Sequence, residues 1–161
     1  MMDLPRTVEG DLDARELRLA IVASRFNESV VERLIEGATG ALRQHGLDCA
    51  RLQLVRVPGA YDLPLVVRRV AESGDVDAVI ALGAVIRGET AHFEYVAGAC
   101  AEGLSRVADD TGVPVSFGVL TTESEEQALE RAGGAHGNRG ADAAEAAIRL
   151  ASLMRKLGGG R

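Results

Sequence analysis

The sequence predicts an α/β domain, a three-layer sandwich whose four-stranded parallel sheet carries helices on both faces. Two observations lead there. Short β-branched apolar runs alternate four times with helical stretches through short connections, the pattern of strands joined by helical crossovers. The runs are also apolar almost throughout rather than at every second residue, as expected of strands buried on both faces. At 161 residues, with no internal repeat or change of composition, the chain has the length of one domain.

The first strand is RLAIVAS, residues 18–24, which stops at Arg25-Phe26-Asn27. In ESVVERLIEGATGALRQHG, residues Val30, Val31, Leu34, Ile35, Ala38 and Leu42 recur at helical spacing on one stripe, and Gly46 closes the helix. ARLQLVRV (50–57) is the second strand, ended by Pro58-Gly59. LPLVVRRVAESG (63–74) predicts a helix with Pro64 in its first turn and Gly74 at its end. VDAVIALG (76–83) is the third strand. The helix after it turns Val96, Ala99, Cys100, Gly103, Leu104 and Val107 inward, and VPVSFGVL (113–120) is the fourth strand. In TTESEEQALERAGG, Thr122 and Glu125 have capping-box spacing. A last Ala-rich helix runs from Asn138 to Leu157 and buries Ala144, Ala147, Ile148, Ala151 and Met154.

Charge and composition narrow the function. With 18 basic against 24 acidic residues the net charge is −6, and no Lys/Arg run stands out, which argues against nucleic acid or an anionic membrane as partner. An anionic ligand must be caught by local groups against the overall field. Cys49 and Cys100 have neither CxxC nor Cys/His spacing, so they read as reduced thiols packed as small apolar residues. The opening MMDLPRTVEGDLDAREL is too charged for a secretory signal, and no apolar run reaches membrane length; a soluble cytoplasmic protein is expected.

In open parallel sheets ligands sit beyond the carboxyl ends of the strands, and four such ends carry groups that a plain connector does not need. Residues 83–90, GAVIRGET, resemble a phosphate loop, but Glu89 stands where a nucleotide triphosphatase has lysine. What remains is a glycine-bearing turn opening a helix, whose free amides and positive dipole end favour an anion at Gly88, Glu89 and Thr90; alternatively Thr90 is only a helix cap. His92 falls in the first turn of that helix, where the positive end disfavours imidazolium and keeps the ring a proton acceptor. Its alternative is a structural histidine. Phe26 can stack on a planar heterocycle or plug the sheet end. Asp62 can accept from sugar hydroxyls or cap the next helix. Arg131 can clamp a phosphate or merely complement a helix C-terminus. His45 sits where a cation complements a helix end, and His136 lies in a glycine loop.

Taken in order, SRFN (24–27), VPGAYDLP (57–64), GAVIRGETAHFEYV (83–96), FGVLTTESEEQALERAG (117–133) and GNRG (137–140) resemble the lumazine synthase family over about residues 16–157. The resemblance implies a flavodoxin-like fold and a transferase of riboflavin biosynthesis. It condenses 5-amino-6-ribitylaminouracil with 3,4-dihydroxy-2-butanone 4-phosphate to 6,7-dimethyl-8-ribityllumazine, phosphate and water, with no metal or organic cofactor. By the same resemblance, Phe26 stacks on the pyrimidine, and Asn27, Ala60, Tyr61, Val85, Ile86 and Phe117 complete its site. Asp62 meets the ribityl chain, Gly88, Glu89, Thr90 and Arg131 hold the phosphate, and His92 moves protons. Arg139 is a secondary candidate.

Two departures stand out. Tyr61-Asp62 replaces a usual Phe-Glu, so the carboxylate is one methylene shorter, and Arg139 replaces a common lysine. The resemblance further implies pentamers, with Phe117, Arg131 and His136 facing a neighbour's site, an icosahedral shell in some members, and riboflavin synthase as a partner. Residues 1–15 read as an N-terminal extension, 16–157 as the domain and 158–161 as a flexible tail. The competing reading is a non-catalytic flavin- or lumazine-binding or shell-forming protein of the same fold.

Overall fold

The computed structural model describes residues 3–158, so residues 159–161 of the expected tail lie outside the described residues. Strands β1 (Leu19–Ser24), β2 (Leu52–Val57), β3 (Ala78–Ile86) and β4 (Val115–Thr122) form one sheet in the order β2-β1-β3-β4. Every pairing is parallel: Leu19 lies beside Leu52 on one side and Ala78 on the other, and Val79 lies beside Val115.

Helices α1 (Glu28–Gln44) and α5 (Arg139–Lys156) cover one face, and α2 (Leu63–Glu72) and α3 (His92–Thr111) cover the other. The alternation along β1 shows how one strand serves both layers. Leu19, Ile21 and Ala23 point to the α1/α5 side, while Ala20 and Val22 point to the α2/α3 side, all fully or almost fully buried. Each large aliphatic side chain taken from water this way stabilises the fold by about 1.5–3 kcal/mol. At the edge, Leu54 of β2 remains 46% exposed.

Small residues set the spacing of α1 and α5. Ala38 of α1 and Ala144, Ala147 and Ala151 of α5 are buried in the core of this face, and Gly140 rests directly on the Leu34 carbonyl, where any Cβ would collide with backbone. The Ala-rich sequence of α5 is therefore a packing requirement rather than a surplus of helix propensity. Residues 9–14 lie against the same helices. The Asp11 amide donates to Ser152 Oγ at 3.1 Å, Ala14 N to the His45 carbonyl at 2.9 Å, and Lys156 Nζ to the Glu9 carbonyl at 2.8 Å.

The structure corrects several local expectations. β3 and β4 run on to Ile86 and Thr122, so Val85 and Ile86 belong to the strand and not to the turn after it. The helix α4 (Glu125–Glu130) is capped by Ser124, whose hydroxyl accepts from Gln127 N at 3.2 Å, while Gln127 Oε1 accepts from Glu123 N. The reciprocal cap is thus shifted two residues from Thr122 and Glu125, because Thr122 Oγ1 is committed to the Ser124 carbonyl at 2.8 Å. Ala99 is exposed rather than inward. The glycine loop after α4 is a small antiparallel hairpin, β5 (Ala132–Gly134) with β6 (Gly137–Asn138), in which Gly133 and Gly137 take φ of 103° and 80°. Asn138 then caps α5, accepting from Ala141 N at 3.1 Å.

Candidate functional site

The carboxyl ends of β1, β2 and β3 open into one cleft of about 460 Å³. Its three walls come from the three strand ends, and each owes its form to local chemistry.

The first wall is Phe26 with Asn27. The amides of Arg25 and Phe26 donate to the Val57 and Pro58 carbonyls at 2.8 and 3.0 Å, continuing the β1–β2 pairing past the strand ends. Asn27 then turns the chain into α1 in the left-handed region, φ 62°. The Phe26 ring is 73% exposed at the cleft. A plug for the sheet end would be buried, so the exposure favours a ring left free to stack.

The second wall is Pro58 to Asp62. A single 3-10 turn over Ala60–Asp62 leads into α2, with Ala60 buried beneath the cleft and Tyr61 65% exposed. Asp62 does not cap α2 with its side chain. Its Oδ2 reaches back and accepts from Gly59 N at 2.9 Å. The shorter carboxylate thus braces the turn that presents Ala60 and keeps one oxygen for another partner.

The third wall is the end of β3 with the turn after it. Val85 is buried, Ile86 half-buried, and Gly88 and Thr90 exposed along the cleft. Gly88 has an ordinary φ, and a Cβ on it would meet nothing within 4 Å, so neither strain nor crowding inside the chain calls for glycine. Glycine there keeps the backbone open to close approach from outside. Thr90 is not the cap residue, as α3 begins at His92 after Ala91; its Oγ1 instead accepts from the His92 amide at 3.4 Å. The Glu94 amide donates to the Ala91 carbonyl at 3.1 Å, closing the first turn of α3. His92, the first helical residue, is exposed and lines the cleft.

The structure thus gathers Phe26, Asn27, Ala60, Tyr61, Asp62, Val85, Ile86, Gly88, Thr90 and His92. It leaves the other candidates elsewhere. Glu89 is exposed and off the cleft wall. Phe117 lies in mid-β4, 43% exposed, beside Ala81. Arg131 follows α4, where Nη1 donates to the Gln127 carbonyl at 3.0 Å and pairs with Glu130 at 3.6 Å. Arg139 opens α5 with Asp142 at 3.8 Å. His136 joins Glu130 at 3.5 Å. The sheet order explains the separation of Phe117, Arg131, His136 and Arg139. They lie on or after β4, the edge strand farthest from β2.

Arg87 was missed, although it stands in GAVIRGET as the one cation beside the anion-favouring turn. Its amide donates to the Thr122 carbonyl at 2.8 Å. Its guanidinium pairs with Glu123 at 2.9 Å and Glu94 at 3.4 Å and lies 4.5 Å over the Phe93 ring. The hydrogen bond to Glu123, then the pull of both carboxylates, holds it above the ordinary arginine pKa. Phe93 itself lines the cleft next to His92, and Val96 lies one turn on. Both also pack against the core on the α2/α3 side; their helical spacing is readable, but not that they meet a cleft as well. Among the described residues no cluster of three His, Cys, Asp or Glu is placed to hold a metal ion, and no helix is long and apolar enough to cross a membrane.

The cleft therefore joins an exposed aromatic face, the end of β3, a helix-initiating turn and an imidazole. These parts suit a planar polar ring held beside an anion and a proton carrier. Comparison with known proteins agrees. The sequence model of the 6,7-dimethyl-8-ribityllumazine synthase family matches residues 16–155. The 6,7-dimethyl-8-ribityllumazine synthase of Halorhodospira halophila is 54% identical over 153 residues, covering 94% of this chain and 98% of that protein. Its namesake in Nitratidesulfovibrio vulgaris is 50% identical over 152 residues, covering 94% and 97%. With that match spanning nearly the whole length and all three walls of the cleft, the chain belongs to the 6,7-dimethyl-8-ribityllumazine synthase family.

Proposed function

We propose that the cleft condenses 5-amino-6-ribitylaminouracil with 3,4-dihydroxy-2-butanone 4-phosphate, releasing phosphate and water and forming 6,7-dimethyl-8-ribityllumazine. The observation that carries this reading is the meeting of Phe26, the Gly88–Thr90 turn and His92 in one cleft of a chain of this family.

Phe26 stacks on the pyrimidine, and the backbone at Ala60 and at Val85 and Ile86 meets its polar edge. The free oxygen of Asp62 and the Tyr61 phenol lie toward the ribityl chain. The butanone's phosphate rests on the turn amides of Gly88, Glu89 and Thr90, where the helix end offsets an acidic protein. Binding in that order puts the butanone carbonyl beside the pyrimidine's amine and within reach of His92. Its imidazole takes the proton that the adding amine gives up and returns it to the hydroxyl that leaves as the first water; it then takes a proton from carbon as phosphate departs and returns it to the second water lost on ring closure. Such proton transfer is worth roughly a hundred- to ten-thousand-fold. Holding both substrates in register contributes as much or more.

Phe117, Arg131 and His136 act in this reading from a neighbouring copy, in a cytoplasmic pentamer. Their place outside the lining of their own chain's cleft and the exposure of Phe117 support that arrangement. A larger shell is compatible with the short β5–β6 connection. Light scattering measures the assembly.

The test of the reaction is direct. Purified chain is mixed with both substrates, and lumazine fluorescence and free phosphate are followed together. Acceleration of both over the uncatalysed condensation is expected; none at all leaves no enzyme.

A further inference from the structure

Asn27 is the one non-glycine residue with positive φ among the described residues, at φ 62° and ψ 47°. Asparagine tolerates that region better than most residues, and such backbone persists where its surroundings over-determine it. Here two sets of contacts do so. The Asn27 carbonyl accepts the amides of Val30 and Val31, both at 3.1 Å, which starts α1. Its side chain makes no cap to that helix, the ordinary use of asparagine in this position. Instead Nδ2 donates across the sheet to the Ala84 carbonyl at 2.9 Å.

The need for that donor comes from strand lengths. β1 pairs with β3 only as far as Ala23 beside Leu82, whereas β3 continues to Ile86. Along a strand, the N–H and C=O of successive residues face opposite neighbours. Arg87 N donates to Thr122 on the β4 side, so Val85 faces that way too. Ala84 and Ile86 then face the β1 side, where the strand has already ended. The Asn27 amide fills the missing rung at Ala84, and the next rung, Ile86, is left to the cleft that it lines.

We infer that Asn27 is a positioning residue for the planar substrate: its amide ties the Phe26 stacking face to the open hydrogen-bonding edge of β3 at a fixed separation, rather than touching the substrate itself. This rests on the reading of the cleft as a pyrimidine site. One turn of backbone and one side-chain hydrogen bond set how far the stacking ring stands from the rung that reads the ring's polar edge.

The test uses the full chain and two variants. Asn27→Gly keeps the left-handed backbone without strain and loses only the amide. Ribitylaminouracil titrated calorimetrically, without the second substrate, is expected to bind about tenfold more weakly to it, the size of one lost buried hydrogen bond. KM for the butanone phosphate stays within about twofold. Asn27→Asp sets a carboxylate against the Ala84 carbonyl and binds more weakly still at about pH 8. Its affinity relative to wild type recovers toward about pH 5, as the introduced carboxyl, pushed up by that carbonyl, gains a proton to donate. Unchanged pyrimidine affinity in Asn27→Gly, equal weakening of both substrates, or an Asn27→Asp ratio flat with pH overturns the inference. A wild-type chain that binds ribitylaminouracil but forms no lumazine refutes the catalytic reading alone. One that does not bind it overturns both.

Discussion

Replacing Gly83 with alanine tests the packing between β1, β3 and the turn that carries Ala60. Gly83 sits in β3 beside the end of β1, and a Cβ there would lie 2.8 Å from Ser24 Oγ, 3.4 Å from Leu63 Cδ1 and 3.7 Å from Ala60 Cβ. The first contact is about 0.6 Å inside ordinary van der Waals distance, while the other two are acceptable. Overpacking of this kind costs about 1–3 kcal/mol. Alanine in place of a strand-interior glycine returns about 0.5–1 kcal/mol through the unfolded chain. Gly83→Ala is therefore expected to destabilise by about 1 kcal/mol net. Ser24 Oγ is buried and has no hydrogen-bond partner among the described residues, so Ser24→Ala alone is neutral or stabilising. In the double variant the clash is gone and the intrinsic gain remains, giving a coupling of about 2 kcal/mol between the two positions. Urea unfolding of the four proteins at one fixed chain concentration measures the cycle. In thermal melts each kcal/mol corresponds to about 2–4 °C. Equal destabilisation by Gly83→Ala in both backgrounds would refute the clash, as would a Gly83→Ala protein as stable as wild type.

The other predictions concern the site and the thiols. His92→Ala is expected to lower kcat by roughly a hundred-fold or more with little change in ribitylaminouracil affinity; an unchanged kcat removes the proton-carrying role. Arg131→Ala should raise KM for the butanone phosphate well beyond that for the pyrimidine, and equal losses contradict a phosphate clamp. Burial pushes the Cys100 thiol up to about 11, so below about pH 10 it holds its proton and does not react. Iodoacetamide at about pH 8 should therefore label the partly accessible Cys49 in the folded protein and both thiols only in denaturant. Labelling of Cys100 in the native chain, read by peptide mass, would contradict its burial.

Periodicity and covalent backbone limits made much of this protein legible in its sequence. Continuous apolar runs between turn signals read as strands buried on both faces, so β1 was readable almost residue by residue and β3 in its place, though not in its end at Ile86. The helical stripes named their buried faces, and Pro64 and Gly46 marked a start and a stop. Most of the cleft's residues were legible as well, because they lie at the carboxyl ends of β1, β2 and β3, although Phe93 and Val96 were not and the end of β4 stays apart.

Tertiary structure decided the rest. Nothing in the spacing of Thr122 and Glu125 reveals that Thr122 is committed to the Ser124 carbonyl, which moves the cap of α4 to Ser124. Ala99 fits a helical stripe, yet which angle of α3 is covered depends on where α2 and the sheet lie. The sequence order also hides that β3 outruns β1, a mismatch that gives Asn27 its partner and leaves Ile86 open. Local patterns report what a segment prefers by itself. Which hydrogen bonds remain unpaired, and therefore free for a substrate, is fixed only when strands of unequal length are laid side by side.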